Sequence, residues 1–133
     1  MSRSAIYTVN STQTTFASDA QIPFGSVVRR FGSNLKLDGN SMILCGSGYY
    51  KCNLDLVVEP SAIGPVTAQL LLDGEPIPGA FSTVYAAVAT NPVPINLSAP
   101  IVRICGCDCN QTLSVRISAA GTLVNMASSV EKI

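Results

Sequence analysis

Residues 49–60 read YYKCNLDLVVEP. Tyr50, Cys52, Leu54, Leu56 and Val58 fall on one side of an extended chain. Lys51, Asn53 and Asp55 fall on the other. A period of two with apolar and polar residues alternating is the signature of a half-buried β-strand. Pro60 punctuates its end, because proline cannot donate to a ladder.

The same reading extends in both directions. VTAQLLLDG (residues 66–74) places Val66, Ala68, Leu70 and Leu72 on one face and ends in Asp73-Gly74, a tight hairpin signal. LSVRIS (113–118) points Leu113, Val115 and Ile117 inward and Ser114 and Arg116 outward. NLKLDGNSMILCG (34–46) reads as a strand, a turn at Asp38-Gly39 and a second strand. AFSTVYAAVA, VPINL, APIVRIC and the terminal VNMASSVEKI are extended in character. Pro76 and Pro78 place GEPIPGA at an edge or in a loop. No helical period competes. Turn signals recur roughly every 8 to 12 residues, which predicts an all-β sandwich or barrel. The first 20 residues are polar and read as an N-terminal arm or attachment segment, with the β-domain over 21–133.

Of the 133 residues, 47% are apolar and only 12% are charged, with a formal net charge of zero. The charged share is about half the roughly 25% of ordinary soluble domains. Such a surface is either rich in small polar residues or partly hidden against other subunits. Arg29-Arg30 is the one basic cluster, and no aromatic residues are interleaved with cations, so nucleic-acid binding is not expected. No stretch approaches the roughly 18 apolar residues that would cross a membrane. The N-terminus has no apolar core of a secretory signal, so synthesis in a cytoplasm is expected.

The chain contains no histidine. The commonest general base is therefore missing, and Ser-His or Cys-His nucleophiles are excluded. Asp38, Asp55, Asp73 and Glu75 read as turn formers and solvated strand positions. No catalytic residue and no cofactor is expected, and the chain is read as a non-enzyme.

The five cysteines raise a separate question. Cys105, Cys107 and Cys109 alternate in ICGCDCN. Residues two apart on a strand are separated by about 6.6 Å, at the upper limit for a disulfide. A Cys105–Cys109 bridge requires a turn through Gly106 and Asp108. A thiolate metal site requires Cys45 beside the cluster, or several copies around an axis. Cys52 reads as a small core residue. Reduced thiols at a strand end are the plainest reading.

The order GSGYYKCNLDLVV, AQLLLDGEPIPGA, IVRICGCDCNQTLSVRIS, ASSVEKI resembles the tumour-necrosis-factor-like and complement-head-like jelly rolls of bacterial surface fibres and phage structural proteins. Gly48-Tyr49-Tyr50, Gly74–Gly79 and Leu113–Arg116 carry the likeness, over about residues 20 to 133. The resemblance implies an antiparallel jelly-roll sandwich that packs as a homotrimer. Tyr49, Tyr50, Phe81 and Tyr85 become candidates for the trimer interface, and are equally read as ordinary core or edge aromatics. No collagen-like stalk precedes the head, which favours a particle-surface or fibre-tip component. The implied role is a virion or head-fibre component, or a bacterial or spore surface component. A capsid or surface protein would be met through the N-terminal arm. The loops at Asp73–Gly79 and Asn91–Pro94 would face outward. The alternative is a glycan- or receptor-binding module, weakened by the absence of tryptophan.

Overall fold

A computed structural model describes residues 4–32, 34–39, 41–46, 48–104 and 110–132. In chain order the strands are β1 (Ser4–Asn10), β2 (Thr14–Phe16), β3 (Ala20–Gln21), β4 (Ser26–Phe31), β5 (Leu35–Asp38) and β6 (Ser41–Cys45). They continue with β7 (Gly48–Pro60), β8 (Gly64–Leu72), β9 (Glu75–Ala86), β10 (Val93–Ile104), β11 (Asn110–Ile117) and β12 (Gly121–Lys132).

Two six-stranded sheets form a sandwich. One runs β10-β7-β12-β1-β4, with β2 beside β12. The other runs β5-β6-β11-β8-β9, with β3 beside β11. Every pairing is antiparallel. Among the described strands, only β5–β6 and β8–β9 are consecutive and adjacent. Apart from β1 and β2, which both lie along β12, the chain otherwise crosses between sheets, which is the winding of a jelly roll.

The alternation read from residues 49–60 decides this packing. Tyr50, Cys52, Leu54, Leu56 and Val58 are buried on β7, while Lys51, Asn53 and Asp55 are exposed. Val66, Ala68 and Leu70 on β8 and Leu113, Val115 and Ile117 on β11 meet them from the opposite sheet in one core. Asp73-Gly74 forms the two-residue hairpin loop, with Leu72 opposite Glu75. Both loop residues have positive φ (53° and 82°), the geometry that favours Asp-Gly. Pro76 and Pro78 sit on β9, an edge strand, where a missing N–H is tolerated.

The N-terminal arm expected over residues 1–20 requires correction. Ser4–Asn10 is strand β1, paired with β12 on one side and β4 on the other. Its buried positions are Ser4, Ile6, Thr8 and Asn10. Three of those four are polar, so an apolar period is nearly invisible in the sequence. Each polar group is satisfied internally, as buried polar groups must be. Ser4 Oγ donates to Asn34 Oδ1 (2.7 Å), the Thr8 and Ser128 hydroxyls bond to each other, and Asn10 Nδ2 donates to the Pro23 carbonyl (3.0 Å).

Candidate interaction surfaces

Strand alternation on an edge strand leaves one face to solvent. On β9 that face carries Phe81, Thr83 and Tyr85, in register with Gln69, Thr67 and Pro65 of β8. Phe81 is 58% and Tyr85 67% exposed. Thr83 lies between them, its hydroxyl 2.7 Å from that of Thr67. The structure therefore brings two of the four interface candidates into one aromatic ridge.

Tyr49 lies in the other sheet, half exposed on the outer face of β7. Tyr50 requires correction. It is fully buried in the core of its own chain, because β7 alternation turns it inward. Its hydroxyl donates to the carbonyls of Gly46 (2.9 Å) and Cys45 (3.0 Å). Burial, then the neighbouring Cys45, raises its pKa above the ordinary tyrosine value. Such a side chain is not available to a neighbouring subunit.

A second apolar surface went unread in the sequence because it is built on the supposed arm. Across the outer face of the first sheet, Arg29, Tyr7, Ser129 and Asn53 form one cross-strand row. Phe31, Ala5, Glu131 and Lys51 form the next. Tyr7 and Phe31 are exposed, and these rows line a concavity of about 210 Å³. Arg29 of the basic pair belongs to this rim. The sequence signal that was available is the β-rich run AIYTV.

The cysteines divide. Cys52 is buried, and burial pushes its thiol up to about 12, so it is a core side chain. Cys45 is half-buried opposite Asn110, and its carbonyl accepts from Tyr50 Oη and from Asn34 Nδ2 (2.7 Å). Cys105, Cys107 and Cys109 lie outside the described residues. Among the described residues no group of three His, Cys, Asp or Glu side chains could hold a metal ion.

The sandwich has two distinct ends. Ser4 pairs with Lys132, Cys45 with Asn110, and Gly48 with Ile104 at one end. The Asp73 turn is there too, its carboxylate accepting from Thr112 N and Gln111 Nε2, both at 2.9 Å. Pro60 pairs with Gly121, Val58 with Val93, and Gly64 with Ala86 at the other end. The two loops expected to face outward lie at opposite ends. Most of Asp73–Gly79 is also strand rather than loop.

No protein-family model and no curated protein matches the chain. Solved structures do. Murine APRIL superposes with a TM-score of 0.69 at 14% identity, over 99% of this chain and 100% of that one. The PRD1 vertex protein P5 gives 0.62 at 16%, over 97% and 95%. The globular domain of the zebrafish complement 1qA protein gives 0.61 at 10%, over 97% and 95%. With two antiparallel sheets in this strand order, the chain has the tumour-necrosis-factor-like jelly-roll fold.

Proposed function

We propose that this protein is a non-enzymatic structural head that assembles as a homotrimer and decorates a larger particle. The observation that carries the reading is the pair of unlike exposed surfaces. One is the exposed Phe81–Tyr85 row on edge strand β9. The other is the apolar concavity around Tyr7 and Phe31 on the opposite sheet. Two unlike patches on one chain make a heterologous, head-to-tail contact, and such contacts close into rings when the rotation permits. A 12% share of charged residues suits a chain with much of its surface covered.

The likeness in fold to the PRD1 vertex protein supports placing the head on a virion. A bacterial cell or spore surface is the second location. Among the described residues no helix is long and apolar enough to cross a membrane. Because β1 is committed to its sheet, contact with the larger particle is assigned to the end carrying Ser4 and Lys132. Light scattering on a sizing column, with and without reductant, tests the assembly. A mass near three times 13.9 kDa in both conditions is expected. A stable monomer overturns the reading.

A further inference from the structure

An edge strand carries unpaired backbone N–H and C=O groups, and proteins usually blunt it. The two sheet paths end on β10, β4, β5 and β9. β10 contains Pro94 and Pro100, β9 contains Pro76 and Pro78, and β5 has four residues. β4, SVVRRF, has six residues and no proline. Among the described residues its only strand partner is β1. Pairing with β1 uses one edge of its backbone, which leaves the ladder groups of the other edge for a further strand.

β4 also overhangs the sandwich. Val27 and Arg30 stand opposite Thr8 and Ile6, which are buried, so all four point to the inner side of the sheet. Every residue of β4 is nonetheless exposed, so the second sheet does not reach over this strand. Arg29 and Phe31 share the outer side with Tyr7 and Ala5, and Val28 falls at the register shift. Val27, Val28 and Phe31 thus leave apolar surface open along both sides of one free edge.

Charge selects the occupant. Arg29 and Arg30 are adjacent, and neither is ion-paired among the described residues. Lys36 is exposed on β5, which lies beside β4 across the sandwich, and Asp38 is the one carboxylate on these two strands. The arginines and the bulge oppose pairing with a basic strand or a second β4, where like charges would stand opposite one another. We propose that β4 takes up an extended acidic segment of another protein as an added strand. Carboxylates on that strand meet Arg29 on the outer side and Arg30 on the inner side. Its apolar residues cover Val27, Val28 and Phe31. A nucleic-acid or polysaccharide polyanion would match the cations but leave the ladder groups and the valines uncovered. The proposal goes beyond the trimer, because Val27, Val28 and Arg30 do not line the Tyr7–Phe31 concavity.

The test is a titration of the full-length protein, in its native assembly, followed by backbone amide NMR shifts. The probe is the capped peptide Thr-Val-Glu-Glu-Val-Val-Thr, which in antiparallel register sets its glutamates against Arg30 and Arg29. A control peptide carries lysine for both glutamates. Two further versions are N-methylated at alternate residues, one at the odd and one at the even positions. Saturable shifts centred on Ser26–Phe31 are expected with the glutamate peptide and not with the lysine peptide. One N-methylated version binds and the other does not, because only one edge of the added strand faces β4. Arg30→Glu weakens the glutamate peptide roughly two- to fivefold, the scale of an exposed ion pair, and leaves the assembly mass unchanged. Arg29→Glu combined with Arg30→Glu reverses the preference between the two peptides. Absence of β4 shifts at peptide concentrations on the order of millimolar overturns the proposal. So do equal binding of the lysine peptide, binding by both N-methylated versions, or shifts centred on the Tyr7–Phe31 concavity. Saturation by heparin but not by peptide assigns the edge to a polyanion, and a concentration-dependent doubling of the assembly mass assigns it to a second copy; either result overturns it. Assembly mass is read independently, so failure here and failure of the trimer are told apart.

Discussion

Thr8 and Ser128 are 120 residues apart in sequence and hydrogen-bond to each other inside the core, directly opposite on β1 and β12. The contact closes the first sheet, because β1 is what joins β4 to the rest of it. A hydroxyl pair here stabilises the fold only while both partners remain.

Thr8→Val keeps the shape and orphans the Ser128 hydroxyl, at a cost of about 1–3 kcal/mol. Adding Ser128→Ala removes the orphan, so the double variant loses less than the sum of the singles. Urea denaturation of the four proteins gives the coupling. Strict additivity would show that the pair is not energetically joined.

Cys52 predicts an alkaline response. Its thiol is raised from 9.0 to about 12 by burial. Above pH 9 the unfolded chain releases this proton while the folded chain keeps it. Stability is therefore undiminished by this group below 9.0 and falls as pH rises toward 12. The slope contributed is at most about 1.4 kcal/mol per pH unit. Cys52→Ala is expected to show a shallower decline in urea midpoint over that window. An equal decline would assign the loss to other groups.

Asp73 works through its positive φ and the Oδ1 acceptor for Thr112 N, both of which asparagine reproduces, losing only the solvent-exposed acceptor for Gln111 Nε2. Asp73→Asn is expected to leave the melting temperature nearly unchanged. Asp73→Ala removes the acceptor for Thr112 N and costs on the order of 1 kcal/mol. Calorimetry of the two variants separates hydrogen bonding at this turn from the charge.

Phe81→Lys and Tyr85→Lys each place a charge on the β9 ridge without touching the core, since both positions face solvent within the chain. Each is expected to lower the solution mass toward 13.9 kDa with circular dichroism unchanged. Tyr50→Phe, altering a buried hydroxyl, is expected to leave the mass as it is. A mass unaffected by both lysine variants would move the subunit contact off β9.

Legibility in the sequence followed the strength of local pattern. β7 and β11, and β8 as far as Leu70, carry clean apolar alternation, so their inward faces were readable residue by residue; beyond the register shift on β8, Leu71 is buried and Leu72 only half-buried. β1 was not, because Ser4, Thr8 and Asn10 occupy core positions and are satisfied by partners distant in the chain. That one misreading also hid the Tyr7–Phe31 concavity.

What the sequence determined by itself is the strand character of the chain, the Asp73-Gly74 hairpin and the exclusion of histidine chemistry. Each depends on a residue or a period of two that is complete within a few positions. Which aromatics are buried and which exposed, which loops share an end, and where β1 pairs were decided only in the tertiary structure. Those properties are set by which strands become neighbours. That choice depends on packing and hydrogen bonding between residues such as Thr8 and Ser128, whose relationship no local window contains.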